Sequence, residues 1–216
     1  MAIVLIIAAL LMLYIGVGRR WINTWGATEA ETTRILPGDE LLSSAQIQST
    51  RAITIHAPPA QVWQWLVQIG QGRGGFYTYD WLENLFGLDI HTVNAIVPEL
   101  QHLAAGDPIR LAKQGGVYRV AILEPQRALI LRMLDQTTLE LADPNAPDYY
   151  EATWGFILDP SDEQTTRLIT RVRWVSKTFA GRAMYAIIGP ISFIMETRML
   201  RTLKARAEQS MSTPIH

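Results

Sequence analysis

The chain has 216 residues, of which 49% are hydrophobic and 18% charged, and its net charge is −1. That length suits one domain with a short additional segment, and the near-neutral charge argues against a general nucleic-acid binder. Cysteine is absent, which excludes a disulfide framework and fits a reducing compartment without requiring one.

The first element is AIVLIIAALLMLYIGVG, residues 2–18, which carries no charge. As a helix it would span roughly 26 Å, slightly short of a hydrocarbon core, and Trp21 and Ile22 can extend it. A cleaved signal peptide needs a basic residue ahead of the apolar run and a small-residue cleavage site, and both are missing. A buried core helix would have to be hydrophobic all round. The favoured reading is a single transmembrane anchor over residues 1–22. Arg19 and Arg20 follow the run and no basic side chain precedes it, which places the rest of the chain on the cytoplasmic side of the cell membrane.

Residues 23–50 are polar, contain Pro37-Gly38, and read as a linker that packs at most on the domain edge. RAITIH (51–56) alternates like a strand, and Ala57-Pro58-Pro59 ends it. AQVWQWLVQI then spaces Val62, Leu66 and Ile69 as a helix, with Pro59 in its first turn and Gly70 at its end. A second short helix is expected from Asp80, with Asp80 as its N-cap, Glu83 completing a capping box and Gly87 beyond its end. Strands follow at 108–112, 117–124, 127–134, 151–159 and 165–176, the last two flanking the turn DPSDEQ. On the last strand Arg167, Arg171 and Arg173 share one face with Ile169 and Val175. Leu168, Thr170, Val172 and Trp174 share the other, so one wet and one apolar face are expected. From about Thr178 to Glu208 the period is helical, with a kink or break expected at Gly189-Pro190. Residues 209–216 read as a tail.

QIGQGRGGFYTYDWLENLFG (68–87) is the most unusual stretch, and Gly70, Gly72 and Gly75 form a literal G-x-G-x-x-G. A dinucleotide fingerprint needs a strand before those glycines and a helix opening within them. Here a helix precedes and no β/α alternation follows. A P-loop is excluded because no Gly-Lys-Ser/Thr occurs.

WQWLVQIGQGRGGFYTYDWLENLFGLDIH, the later TWGF strand and the C-terminal FIMETRMLRTLKARAE helix together resemble the SRPBCC superfamily. These are START-like or Bet v 1-like helix-grip proteins, with polyketide cyclase/dehydrase and lipid-transport members. The resemblance covers about residues 50–208 and looks strongest to bacterial members with an N-terminal membrane segment. It implies an α+β helix-grip fold: a curved antiparallel sheet wrapped around a long C-terminal helix, here preceded by one transmembrane helix. It also implies that the glycine stretch borders the open end of a cavity. Arg73, a planar donor fork, and the flat surfaces of Tyr77, Tyr79 and Trp81 are then candidates for the ligand-binding rim. His91, close after the second helix, is a further candidate, and Trp154 and Trp174 are candidates for the apolar wall. The alternative is that Arg73 pairs with Asp80 or Glu83 and the aromatics are ordinary core.

No two histidines have ligand spacing, so no metal site is expected, and no pattern calls for a cofactor. No serine sits in G-x-S-x-G, which leaves hydrolase chemistry without support. Nine Lys/Arg against one acid between Arg167 and Arg206 suggest either a solvated face or contact with anionic lipid. Three functions remain: a membrane-anchored binding module for an apolar or amphipathic small molecule, a cyclase/dehydratase-type enzyme on a hydrophobic substrate, and a ligand-free interaction domain.

Overall fold

A computed structural model describes residues 18–212. The transmembrane expectation for residues 2–18 therefore falls almost wholly outside the described residues. Among those described, no helix is long and apolar enough to cross a membrane.

Six strands form one antiparallel sheet. They are β1 (Ile47–Ile55), β2 (Pro108–Arg110), β3 (Val117–Glu124), β4 (Ala128–Met133), β5 (Tyr150–Asp162) and β6 (Thr165–Ser176), in the spatial order β1-β6-β5-β4-β3-β2. β1 begins four residues earlier than its alternation suggests, because its N-terminal residues pair along β6 from Ile47 opposite Trp174. Among the described residues five α-helices accompany the sheet: α1 (Arg19–Asn23), α2 (Glu29–Thr33), α3 (Pro59–Val67), α4 (Asp80–Leu85) and α5 (Phe179–Ser212). α5 continues through Pro190 instead of breaking there. The long helix lies against the sheet, giving an α+β helix-grip arrangement.

The core lies between one sheet face, α3 and the second half of α5. Leu129, Leu131, Phe156 and Leu168 of the sheet meet Val62 and Leu66 of α3 and Met199, Leu200 and Leu203 of α5. Each such buried side chain contributes roughly 1.5–3 kcal/mol, which fixes the C-terminal half of the long helix.

The opposite sheet face was expected to be wet, and it is covered. The segment read as a linker lies across it, with Leu36 buried against Ala52, Ile130, Ile157 and Ile169. The arginines of β6 hold it there. Arg171 donates to Arg34 O at 2.9 Å, Glu31 O at 2.6 Å and the Asp39 carboxylate at 2.6 Å. Arg167 forks onto Glu31 at 2.7 and 2.9 Å. These arginines are therefore internal braces and contribute nothing to a lipid-facing basic surface. Further along α5, Lys204 and Arg206 are likewise engaged with Thr54 O and Val93 O.

The segment also contains a capping box that the sequence reading missed: Thr28 Oγ1 accepts from Glu31 N at 3.2 Å, and Glu31 accepts from Thr28 N. Arg167 holds the Glu31 carboxyl down at about 2, against burial that opposes the shift. A lowered carboxylate pKa stabilises the fold above the unfolded value and loses that effect as pH falls through the folded one. The stability gap between the wild type and Glu31→Gln is thus expected to be complete above pH 4.5 and to close as pH approaches about 2. Urea titrations at several pH values check this, and a gap independent of pH would show that the ion pair contributes nothing.

Candidate functional site

The first half of α5 stands off from the sheet, and a cavity of about 850 Å³ lies between them. Helix spacing builds its roof: Met184, Ile188, Ile191, Met195 and Met199 fall on one stripe at intervals of three and four. Strand alternation builds its floor: Trp154 of β5 and Val172 and Trp174 of β6 point inward, with Tyr118 and Met133 from β3 and β4. Trp154 packs at 4.7 Å from the Phe156 ring and 6.2 Å from Phe76, and Trp174 at 6.0 Å from Tyr150 and 6.1 Å from Tyr185. The third wall comes from the glycine stretch and α4, through Phe76, Thr78, Leu82, Glu83 and Phe86. Phe86, Met184 and Ile191 line the cavity and are also exposed, so they form the rim of its mouth.

Of the seven residues proposed from sequence, Trp154 and Trp174 lie on this wall, and the other five do not. Arg73 tucks its guanidinium under the loop, donating to Val67 O at 2.9 Å and Leu100 O at 3.1 Å. It pairs with neither Asp80 nor Glu83 and does not reach the mouth; it is a brace between α3 and the turn at Pro98–Leu100. Tyr77 is buried behind the wall, its hydroxyl donating to Trp65 O at 2.9 Å, and burial pushes its pKa up to about 12. Tyr79 lies under the Arg198 guanidinium at 5.4 Å, and Trp81 points into solvent. His91 is exposed and bonds Asp89 at 3.0 Å.

Asp80 is not a cap either. It opens α4, and its carboxylate accepts from Thr92 N at 2.7 Å and Thr92 Oγ1 at 2.6 Å, tying α4 to the following loop. Glu83, freed from capping, turns inward.

Phe76, which belongs to the aromatic group expected at the rim, lies on the wall, whereas Thr78, Tyr118 and Glu83 were not expected there. The Met/Ile stripe of α5 was visible as an apolar face. Its division into a core-sealing half and a cavity-roofing half was not.

The polar groups on the wall are few. Glu196 is 5% exposed, pairs with Arg51, and accepts from Trp154 Nε1 at 3.3 Å. Burial pushes the Tyr118 hydroxyl well above the usual phenol range, and burial likewise raises Tyr185. Burial raises the Glu83 carboxyl, the neighbouring Asp80 adds to the shift, and the Thr78 hydroxyl opposes it. Among the described residues, no cluster of His, Cys, Asp and Glu could hold a metal ion. Fold and site together define a helix-grip domain with a large apolar cavity that opens beside its long helix.

No family model matches the chain, and no curated protein matches it. Among solved structures it is similar to the Zhui aromatase/cyclase from Streptomyces sp. R1128, with 16% identity and a TM-score of 0.43 over 76% of this chain and 95% of that one. It is similar to Ara h 8.0201, with 10% identity and a TM-score of 0.46 over 76% and 98%. A Thermobifida fusca protein aligns at 14% identity and a TM-score of 0.45 over 75% and 93%.

Proposed function

We propose that this domain binds an apolar or amphipathic small molecule in the cavity under α5, and that the apolar run of residues 2–18, ahead of the helix α1 that packs on the domain, anchors it in a membrane with the domain on the cytoplasmic side. The observation that carries the binding reading is the cavity itself, about 850 Å³ with a wall dominated by Met, Ile, Leu and aromatic side chains. That volume lies within the range of sites that enclose a drug-sized ligand. A ligand-free interaction domain would have closed its core instead. Burial of the ligand's apolar body, at roughly 25 cal/mol per Å², supplies the affinity.

The anchor is supported by the apolar run of residues 2–18 and by exposed apolar side chains on α5 and at α4, two of them, Phe86 and Ile191, at the mouth. Phe179, Ile187, Ile191 and Ile194 of α5 and Trp81, Leu85 and Phe86 of α4 are all exposed. Exposed large apolar side chains in this number suit lipid contact.

The enzyme reading is favoured by one observation, a buried carboxyl on the wall at Glu83, since an acid inside the pocket is what proton transfer to a substrate requires.

Native mass spectrometry of the full-length chain, released from membranes in the spectrometer, tests the binding reading. A co-purifying molecule in stoichiometric amount is the expected result. An empty chain that also fails to take up N-phenyl-1-naphthylamine, a neutral apolar fluorophore, would refute it. Recovery of the full-length chain without detergent in the soluble fraction would refute the anchor.

A further inference from the structure

We propose that Glu83 is the hydrogen-bonding post of this cavity, and that the ligand is an apolar molecule carrying a hydroxyl or an amine and not a carboxylate. This rests on the cavity being a binding site, and it assigns the polarity of that site.

The cavity wall carries two acids, Glu83 and Glu196, and among the described residues no Arg, Lys or His lines it. The acids differ in their commitments. Glu196 has both oxygens occupied, one by Arg51 and one by Trp154 Nε1. Glu83 is 8% exposed, and its Oε2 is buried with no hydrogen-bond partner. Trp174 Nε1 is also buried without a partner, and Trp174 lines the same cavity, while Thr78 Oγ1 lies beside the Glu83 carboxyl. Buried polar atoms are almost always satisfied, so an unpaired carboxyl oxygen on the third wall, facing a cavity whose floor carries an unpaired indole N–H, marks where a ligand's polar atom belongs.

Local structure does not account for the direction of Glu83. It makes no capping bond to the start of α4, although its position there invites one. It shares the inward face of that short helix with Phe86, three residues on, while Trp81 and Leu85 point out. A ligand hydroxyl at this post donates to Glu83 Oε2, satisfying the buried acceptor. A ligand ammonium pairs with Glu83 as a carboxylate. The charge of Glu196 is matched by Arg51, so a ligand carboxylate at this post would face Glu83 with no Arg, Lys or His among the described residues lining the cavity to compensate its lost hydration. Burial raises the pKa of Glu83, in keeping with its place on an apolar wall.

The test uses the full-length chain in phosphatidylcholine nanodiscs, with empty nanodiscs as the background. N-phenyl-1-naphthylamine is the reporter, read by energy transfer from the chain's tryptophans and displaced by decanol, decylamine or decanoate at pH 7.5. Decanol and decylamine should displace it at least about tenfold more effectively than decanoate. With the reporter's own affinity measured in each variant, Glu83→Leu should weaken decanol and decylamine about tenfold relative to decanoate, the loss of one hydrogen bond to a buried acid. Glu83→Gln should retain decanol, since the amide oxygen still accepts, and lose the preference for decylamine. That variant separates a hydroxyl ligand from an amine ligand and guards against a folding artefact in Glu83→Leu. Decanoate displacing as well as decanol would overturn the proposal, as would three competitors unchanged in Glu83→Leu. Failure of the wild type to bind the reporter would instead remove the cavity reading, and this one with it.

Discussion

Arg51→Met is expected to lower folding stability by about 3–5 kcal/mol, the cost of leaving one member of a buried ion pair alone. Arg51 lies in mid-β1 with its side chain 1% exposed, and Glu196 of α5, at 4%, is its partner. The guanidinium also donates through Nε to Ile22 O at 2.8 Å and lies 5.6 Å from the Phe193 ring. One side chain thereby joins the sheet, α1 and the roof helix. Without it, the Glu196 carboxylate remains in a dry wall, with only a long contact from Trp154 Nε1 in place of hydration. The double variant Arg51→Met/Glu196→Leu should recover most of the loss, because two apolar side chains of similar volume need no partner. Chemical denaturation followed by tryptophan fluorescence measures both. A single variant within about 1 kcal/mol of the wild type, the scale of an exposed pair, would show that the site is wetter than its burial implies.

Gly75→Ala should be the most damaging change in the glycine stretch, at about 2–5 kcal/mol. Part of that, roughly 1–2 kcal/mol, is the left-handed backbone at φ +73. The rest is collision: a Cβ there would meet Thr92 Oγ1 at 2.6 Å and Thr92 Cα at 2.7 Å. Thr92 cannot move aside, since the Asp80 carboxylate holds both its N–H and its hydroxyl. Overpacking against a fixed backbone costs a further 1–3 kcal/mol or so. Gly72→Ala is the control. It has nearly the same φ, +72, but open space around the new atom, so only the backbone cost should appear. Thermal unfolding of the two variants side by side decides the matter, and equal losses would mean that Thr92 yields. The close approach explains the glycines without a phosphate: they let the loop close on itself, Gly70 N to Gly75 O at 3.0 Å and Gly75 N to Gly70 O at 3.1 Å.

The sequence by itself determined the parts whose signal is periodic. β6 ran over residues 165–176 as its alternation required, and the chain turned between it and β5 at Glu163-Gln164, the end of DPSDEQ, with β5 running on to Asp162. The inward set of β6, including Val172 and Trp174, followed from the same period of two, because a strand cannot change face without a bulge. α3 began at Pro59, where a missing N–H costs nothing, and α5 carried its apolar stripe to the end of the core. Only the tertiary structure decided the rest. The outer face of the sheet was closed by residues with no period at all, through backbone carbonyls and carboxylates that arginines on β6 could reach. In the aromatic stretch, Tyr77 has φ +61, a left-handed turn in a residue other than glycine, and it resets the phase between the loop and α4. Phe76 and Thr78 therefore reached the cavity while Tyr77, Tyr79 and Trp81 did not. Glu83 stood three residues after an apparent cap and became a wall residue because Thr92, 12 residues away in sequence from Asp80, captured the capping carboxylate first. A side chain's direction at such a point is settled by a competition between hydrogen-bond partners distant in sequence, and a local pattern holds no record of the winner.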